Sequence, residues 1–350
     1  MKFDYCIGNP PYQGQNHQQL YPSFYLGGRK VAKCVEMIFP IGWQTPKNAN
    51  NLKKMNNAEI KEDQQIVFID NKQNAFSGVS GAEWTNIILW KEGFKNGFNG
   101  KQKILINGEN EKQVRLLINK CDIVKPIEIV RLNDIVKSSQ NFQSLKERTS
   151  VLKPYGLRTD VLDNQKKYGL PEIYDVPKAK SDIAIYGLKN RKFTKCYLPK
   201  NYPLPRTTQN YNKYTVLIGK AWGSFTGKYI GGLYANIIIS CPNEICTENF
   251  LESGTFDNFI TAQKHAKYLM TKFCRALVFM NKYSQDNSRD KWSSVPIQDY
   301  SEPWWDETID QIDEHLFDKY EVPQEIRDFV KRNIQRKDES NIINYTEVAN

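Results

Sequence analysis

Nowhere do the 350 residues run to eighteen consecutive apolar positions, and the first residues do not set a charged segment before an apolar one. Neither a membrane span nor a secretory signal is expected, and the cytoplasm is the expected location. The seven cysteines (Cys6, Cys34, Cys121, Cys196, Cys241, Cys246 and Cys274) are scattered, odd in number and never in a C-x-x-C pair. That spacing excludes a zinc ribbon and a disulfide framework and leaves reduced thiols. His17, His265 and His315 lie far apart, so no metal site is expected. Internal repeats and low-complexity tracts are also lacking, which excludes solenoids and disordered linkers. What remains, 40% hydrophobic and 25% charged, is an ordinary globular composition with length enough for two domains.

Charge is unevenly spread. The net charge is +10, yet Ser301–Asn350 holds thirteen acidic and six basic residues, leaving 43 basic against 26 acidic residues ahead of it. A body near +17 favours a polyanionic partner over an inert basic surface.

Periodicity predicts a short buried strand over Lys2–Ile7 and a helix over Leu20–Ala32, interrupted by Gly27-Gly28. Further strands follow at Val35–Phe39, Gln65–Asp70 and within Trp84–Gly93, with a lysine-rich helix near Asn51–Glu59. This alternation is the grammar of one half of a doubly wound α/β sheet. From about Lys101 short strands, Pro and Gly take over, as in Arg206–Ser240. Phe259–Tyr283 reads as one helix, with Ile260, Ala266, Leu269, Phe273, Leu277 and Met280 on one face. Asp306–Tyr320 is an acidic amphipathic helix with Trp304 and Trp305 docked beside it, Pro323–Asn333 is a final helix, and the tail frays.

One tetrapeptide stands apart. Asn9-Pro10-Pro11-Tyr12 follows the carboxyl end of the first predicted strand, where open α/β sheets hold their ligands. Four specified residues arise by chance on the order of once per thousand chains of this length. The plain alternative is a strand-ending turn, since Asn-Pro initiates turns and Pro-Pro stiffens them.

"FDYCIGNPPY" resembles the catalytic motif of DNA adenine-N6 methyltransferases, which act on a flipped base. The resemblance implies that the Asn9 side-chain oxygen and the Pro10 carbonyl accept hydrogen bonds from the two amine hydrogens. Pro10 and Pro11 would fix those acceptors in place, and Tyr12 would stack on the extruded adenine. It extends through "LYPSFY", "VEMIFPIGWQTP" and "IVFIDNKQNAFSGVSGAEWTNIILWKEG", which look like the downstream half of the catalytic domain in type II restriction-modification systems; there Phe76 would face the other side of the adenine, unless it is simply core. "CPNEICTENFLESGTFDN" and "SQDNSRDKWSSVPIQDYSEPW" resemble the DNA-recognising part of the same systems.

The implied fold is α/β: the second half of a doubly wound methyltransferase sheet, followed by a mixed α+β DNA-recognition domain. The expected divisions are residues 1–100 for the partial catalytic domain, 101–300 for target recognition and 301–350 for an acidic helical segment. The implied cofactor is S-adenosylmethionine, but the family's Gly-rich turn and ribose-binding acid lie upstream of the motif. No equivalent follows downstream either, because Gly219–Gly232 places large residues and lysines between its glycines. The cofactor half is therefore expected on a missing segment or a partner chain. The implied substrate is double-stranded DNA, with Lys146, Arg148, Arg206, Lys220, Lys228, Arg289 and Lys291 as candidate contacts, Arg suiting base edges and Lys phosphates. Alternatives are a non-catalytic DNA-recognition subunit, a truncated remnant, or a restriction endonuclease subunit. For the last, Glu59-Ile60-Lys61 is the only tempting fragment, and it reads better as a surface helix.

Overall fold

The computed structural model describes residues 2–15, 18–40, 43, 63, 65–72, 85–94, 102–107, 112–117, 125–206, 208–221, 236–282 and 286–344. The lysine-rich helix near Asn51–Glu59, the Glu59-Ile60-Lys61 fragment, Phe76, Lys228 and the interior of Gly219–Gly232 lie outside them. The described residues of Met1–Arg131 form one compact unit and those from Leu132 onward a second.

The first unit is a mixed six-stranded sheet beside a helix. Its elements are β1 (Phe3–Gly8), α1 (Tyr21–Val31), β2 (Ala32–Pro40), β3 (Ile66–Lys72), β4 (Thr85–Lys91), β5 (Gln102–Asn107) and β6 (Lys112–Leu117), with strand order β1-β2-β4-β3-β5-β6. β1 and β2 pair in parallel through the α1 crossover, in the register Ile7↔Glu36 and Gly8↔Met37. β4 then inserts antiparallel between β2 and β3. β5 and β6 complete the same sheet, so this unit continues beyond residue 100 to Arg131.

The helix runs through Gly27-Gly28 instead of breaking there. Pro22 is pre-organised for the first turn, and Arg29 and Lys30 sit favourably in the last. Gly28 is buried because a Cβ there would lie 3.1 Å from Met37 Cε, so its bare backbone lets helix and strand approach closely. Tyr21 stacks on Phe39 at 5.0 Å, and Tyr25, Val35, Met37, Ile69, Ile88 and Trp90 close this core.

The second unit holds two small sheets and a helical layer. β7 (Ile183–Lys189) and β8 (Lys192–Leu198) form a hairpin, with β11 (Ile245–Cys246) parallel to β7. β9 (Tyr214–Gly219), β10 (Ile237–Ser240), β12 (Phe250–Phe256) and β13 (Ile342–Ile343) form the other sheet, in the order β12-β9-β10-β13. α2 (Ile127–Ser138) spans the boundary at Arg131–Leu132. α3 (Val161–Asn164) follows, and α4 (Phe259–Met270), α5 (Lys272–Asn281), α6 (Ile309–Lys319) and α7 (Gln324–Asn333) build the layer.

The single helix expected over Phe259–Tyr283 is two, broken at Thr271. The Thr271 hydroxyl donates to the Tyr268 carbonyl at 2.7 Å and accepts from the Cys274 N–H at 3.1 Å. Asp313 of α6 accepts the Lys272 and Phe273 N–H groups at 2.7 and 2.8 Å, so the orphan donors of α5 are satisfied from 40 residues away. Ile260, expected on the buried face, is 61% exposed. Trp305 is fully buried and donates its ring N–H to the Asp299 carbonyl at 2.8 Å, docking the acidic segment as expected. No helix of the described residues is long and apolar enough to cross a membrane.

Candidate active site and nucleic-acid interface

Asn9, Pro10, Pro11 and Tyr12 leave the carboxyl end of β1, the same end at which its parallel neighbour β2 finishes. The returning loop is pinned to itself: Leu20 N–H donates to the Tyr12 carbonyl at 3.1 Å, Gly14 N–H donates to the Gln18 carbonyl at 2.8 Å, and Gln13 bridges Gln19. Pro10 is buried and Tyr12 half-buried against the α1 core, whereas Asn9 and Pro11 are exposed. Among the described residues, neither the Asn9 side chain nor the Pro10 carbonyl is spent on an internal hydrogen bond. The turn therefore offers two acceptors on a backbone held by two prolines. Beyond β2, the Trp43 ring N–H donates to Asn86 Oδ1 at 2.6 Å in a buried position.

Among the described residues β1 is an edge strand of its sheet, with one exposed face. Cys6 points toward α1, near Gly28, while Phe3, Tyr5 and Ile7 alternate onto the opposite face at 74, 71 and 73% exposure. Parallel strands are normally covered on both faces, whereas among the described residues these three side chains stand exposed.

The described residues do not by themselves fit S-adenosylmethionine. The strand-to-helix connection of this unit, Asn9 to Leu20, carries Pro-Pro where a cofactor turn carries spaced glycines, and α1 begins without a side-chain cap. Among the described residues no group of three or more His, Cys, Asp or Glu could hold a metal ion.

The candidate DNA contacts fall into two groups. Lys146 and Arg148 lie on the turn Leu145–Arg148, which packs on the turn Arg289–Trp292. There Lys146 pairs with Asp290 at 2.8 Å, and Arg289 pairs with Glu147 at 3.3 Å while donating to the Lys146 carbonyl at 2.8 Å. Arg148 is exposed, but Lys291 is only 3% exposed. In the second group, Lys220 and Lys153 both grip Glu248, at 2.8 and 3.3 Å, and the exposed Arg206 reaches the Lys153 carbonyl at 3.5 Å. Together these cations hold the Glu248 carboxyl below its ordinary range against the opposing effect of partial burial.

Two polar networks in this unit, around Glu252 and His265, have no counterpart in any sequence motif. Glu252 accepts from the Tyr155 hydroxyl at 2.7 Å and Asn210 at 3.2 Å, and its burial raises its pKa. His265 lies between Ser253 Oγ at 2.9 Å and the Tyr300 hydroxyl at 2.5 Å, and burial lowers its pKa to about 3. Glu252 and His265 themselves are buried, and each network ties them to hydroxyl and amide partners on other elements, which specifies packing.

No family model and no curated protein matches the chain in sequence. Among solved structures it is similar to the type IIG restriction endonuclease BpuSI, at 11% identity and a TM-score of 0.38, over 90% of this chain and 45% of that one. It is also similar to the type IIL restriction-modification enzyme MmeI in complex with DNA, at 10% identity and a TM-score of 0.39, over 83% of this chain and 45% of that one. A third is the methyltransferase subunit of a type I restriction-modification system from Streptococcus thermophilus, at 15% identity and a TM-score of 0.22, over 41% of this chain and 33% of that one. The chain spans less than half the length of each of these proteins.

Proposed function

We propose that this chain is the adenine-orienting and target-recognising portion of a DNA adenine-N6 methyltransferase from a restriction-modification system. The observation that carries the reading is the placement of Asn9 and Pro10. Two uncommitted acceptors stand on a rigid turn at the carboxyl end of a parallel strand, where an α/β sheet holds its ligand.

An adenine amine is a poor nucleophile because its lone pair is delocalised into the ring. Asn9 Oδ1 accepts a hydrogen bond from one amine N–H and the Pro10 carbonyl from the other, which localises the lone pair on nitrogen without any reorganisation of the site. Tyr12, half-buried on one side, stacks on the extruded base, and Phe76 is proposed for its other face. Lys146, Arg148, Arg206, Lys220, Lys228 and Arg289 are proposed to engage the duplex, surface ion pairs being weak enough to exchange a carboxylate for a phosphate. Lys291 remains in that proposed set, though its burial means it needs local movement to reach a phosphate.

S-adenosylmethionine supplies the methyl group when bound, and its site belongs to another polypeptide segment. The bare face of β1 is where that segment would add, as an amino-terminal extension or a partner chain. The second reading, a non-catalytic DNA-recognition subunit or a remnant, is favoured by the lack of a cofactor turn among the described residues.

The test is to supply a cofactor-binding half, fused ahead of β1 or as a separate chain, and to follow labelled methyl transfer into duplex DNA. N6-methyladenine is the expected product. DNA binding with no transfer by any reconstituted form would favour the recognition-subunit reading.

A further inference from the structure

A two-residue turn, Asn190-Arg191, joins β7 to β8, with Lys189 paired to Lys192 across it. Both turn residues are left-handed, at φ +50° and +63°, the geometry that matches hairpin twist. Asn is at home there; Arg is not, and glycine is the usual occupant of the second position. An arginine held where glycine would relieve backbone strain is a feature looking for a reason.

The surroundings brace this tip. Both carboxylate oxygens of Asp163, on α3, accept the Asn190 N–H at 3.1 Å. Gly187, three residues back on β7, is wedged so tightly that a Cβ would lie 2.8 Å from both Leu162 and Thr247. Lys189 is neutralised by Asp175, which lowers the Asp175 pKa. Asn190, Arg191 and Lys192, by contrast, are all exposed. Among the described residues, the Asn190 side-chain amide makes no hydrogen bond and Arg191 and Lys192 have no ion-pair partner. Lys146, Lys220 and Arg289 are all already matched with carboxylates.

We infer that the β7–β8 hairpin is a base-reading finger for duplex DNA. A two-stranded β-ribbon fits the major groove, and its tip carries the two side chains suited to purine edges, Arg to guanine O6 and N7, Asn to adenine N6 and N7. Lys192 sits where a flanking phosphate would. The inference rests on the DNA-binding reading above, and it names residues for which that reading had no role. The strain at Arg191 acquires its reason: a glycine would ease the turn and remove the contact.

That opposition supplies the experiment. The full chain, as wild type, Arg191→Gly and Lys192→Ala, is used to select duplexes from a randomised library, and affinities for the preferred and for random duplex are then measured across salt. Arg191→Gly is expected to keep or raise the thermal midpoint while weakening the preferred duplex by about 10- to 100-fold and blurring one base position. Lys192→Ala should weaken all duplexes alike and lower the salt slope by about one. If Arg191→Gly selects the wild-type sequence with wild-type affinity, the finger is refuted and the DNA reading stands. If the wild-type chain selects no sequence and binds no duplex even at low salt, both fall together.

Discussion

At the scale of single residues, Asn9 matters because, among the described residues, its side chain is left uncommitted. Asn9 is exposed at the end of a strand, and Tyr12 is half-buried beside it. In a reconstituted enzyme, Tyr12→Ala should lose roughly 1 to 3 kcal/mol of base stacking. Fluorescence of 2-aminopurine at the target position should then report less extrusion, alongside slower transfer. His265 represents the opposite case, a buried titratable side chain between Ser253 and Tyr300 with its pKa depressed to about 3, mainly by burial and partly by Arg148. Its folded value lies below the ordinary value of 6.5, so between about 3 and 6.5 the unfolded chain binds the extra proton. Its contribution to stability is whole above that window and is lost as pH falls through it. Denaturant midpoints from pH 7 to pH 4 should fall less steeply for His265→Gln than for the wild type; parallel curves would contradict the assignment. "FDYCIGNPPY" could flag Asn9 because the spacing is contiguous. His265 could not be flagged, since its partners lie 12 and 35 residues away and only folding brings them together.

At the scale of elements, the sequence was most legible where the hydrophobic period and the ends of an element agreed. β1, α1 and β2 lie within a few residues of expectation because their apolar positions alternate or recur at helical spacing. The break at Thr271 was not legible, because apolar spacing continues across it and the reward for breaking comes from Asp313 on another helix. The β7–β8 turn was missed because Asn-Arg is not a usual pair for two left-handed residues. Caps give these elements measurable strength. Thr308 and Gln311 form a reciprocal capping box on α6. Thr308→Ala should cost about 1 kcal/mol, read as a lower thermal midpoint, with DNA affinity unaltered. No loss of stability would mean that tertiary packing alone holds that end.

At the scale of the whole molecule, charge and the exposed face of β1 bear on behaviour. The acidic carboxyl-terminal helices are knitted by pairs within that segment, Arg327–Asp318 at 2.6 Å, Lys331–Glu314 at 2.7 Å and Arg336–Asp310 at 2.8 Å, which leaves the basic excess to the rest of the chain. Duplex affinity should therefore fall steeply, with log K linear in log salt as counterions are released; a flat profile would argue against phosphate contacts. On the sheet, Ile7→Lys changes an exposed side chain, so the isolated chain should keep its stability to within about 0.5 kcal/mol. Its reconstitution with a cofactor-binding half should fail, because a charge then sits in the surface to be covered. Unimpaired assembly of that variant would place the added segment elsewhere.

The most direct measurement compares Asn9→Ala with the wild type in the reconstituted enzyme, by labelled methyl incorporation into adenine, with DNA affinity measured on the same preparations. Removing one of two preorganised acceptors typically costs about 3 to 4 kcal/mol. Incorporation should fall roughly 100- to 1000-fold while duplex affinity, set by phosphate contacts, changes little. Undiminished incorporation by Asn9→Ala would make Asn-Pro-Pro-Tyr a strand-ending turn and nothing more.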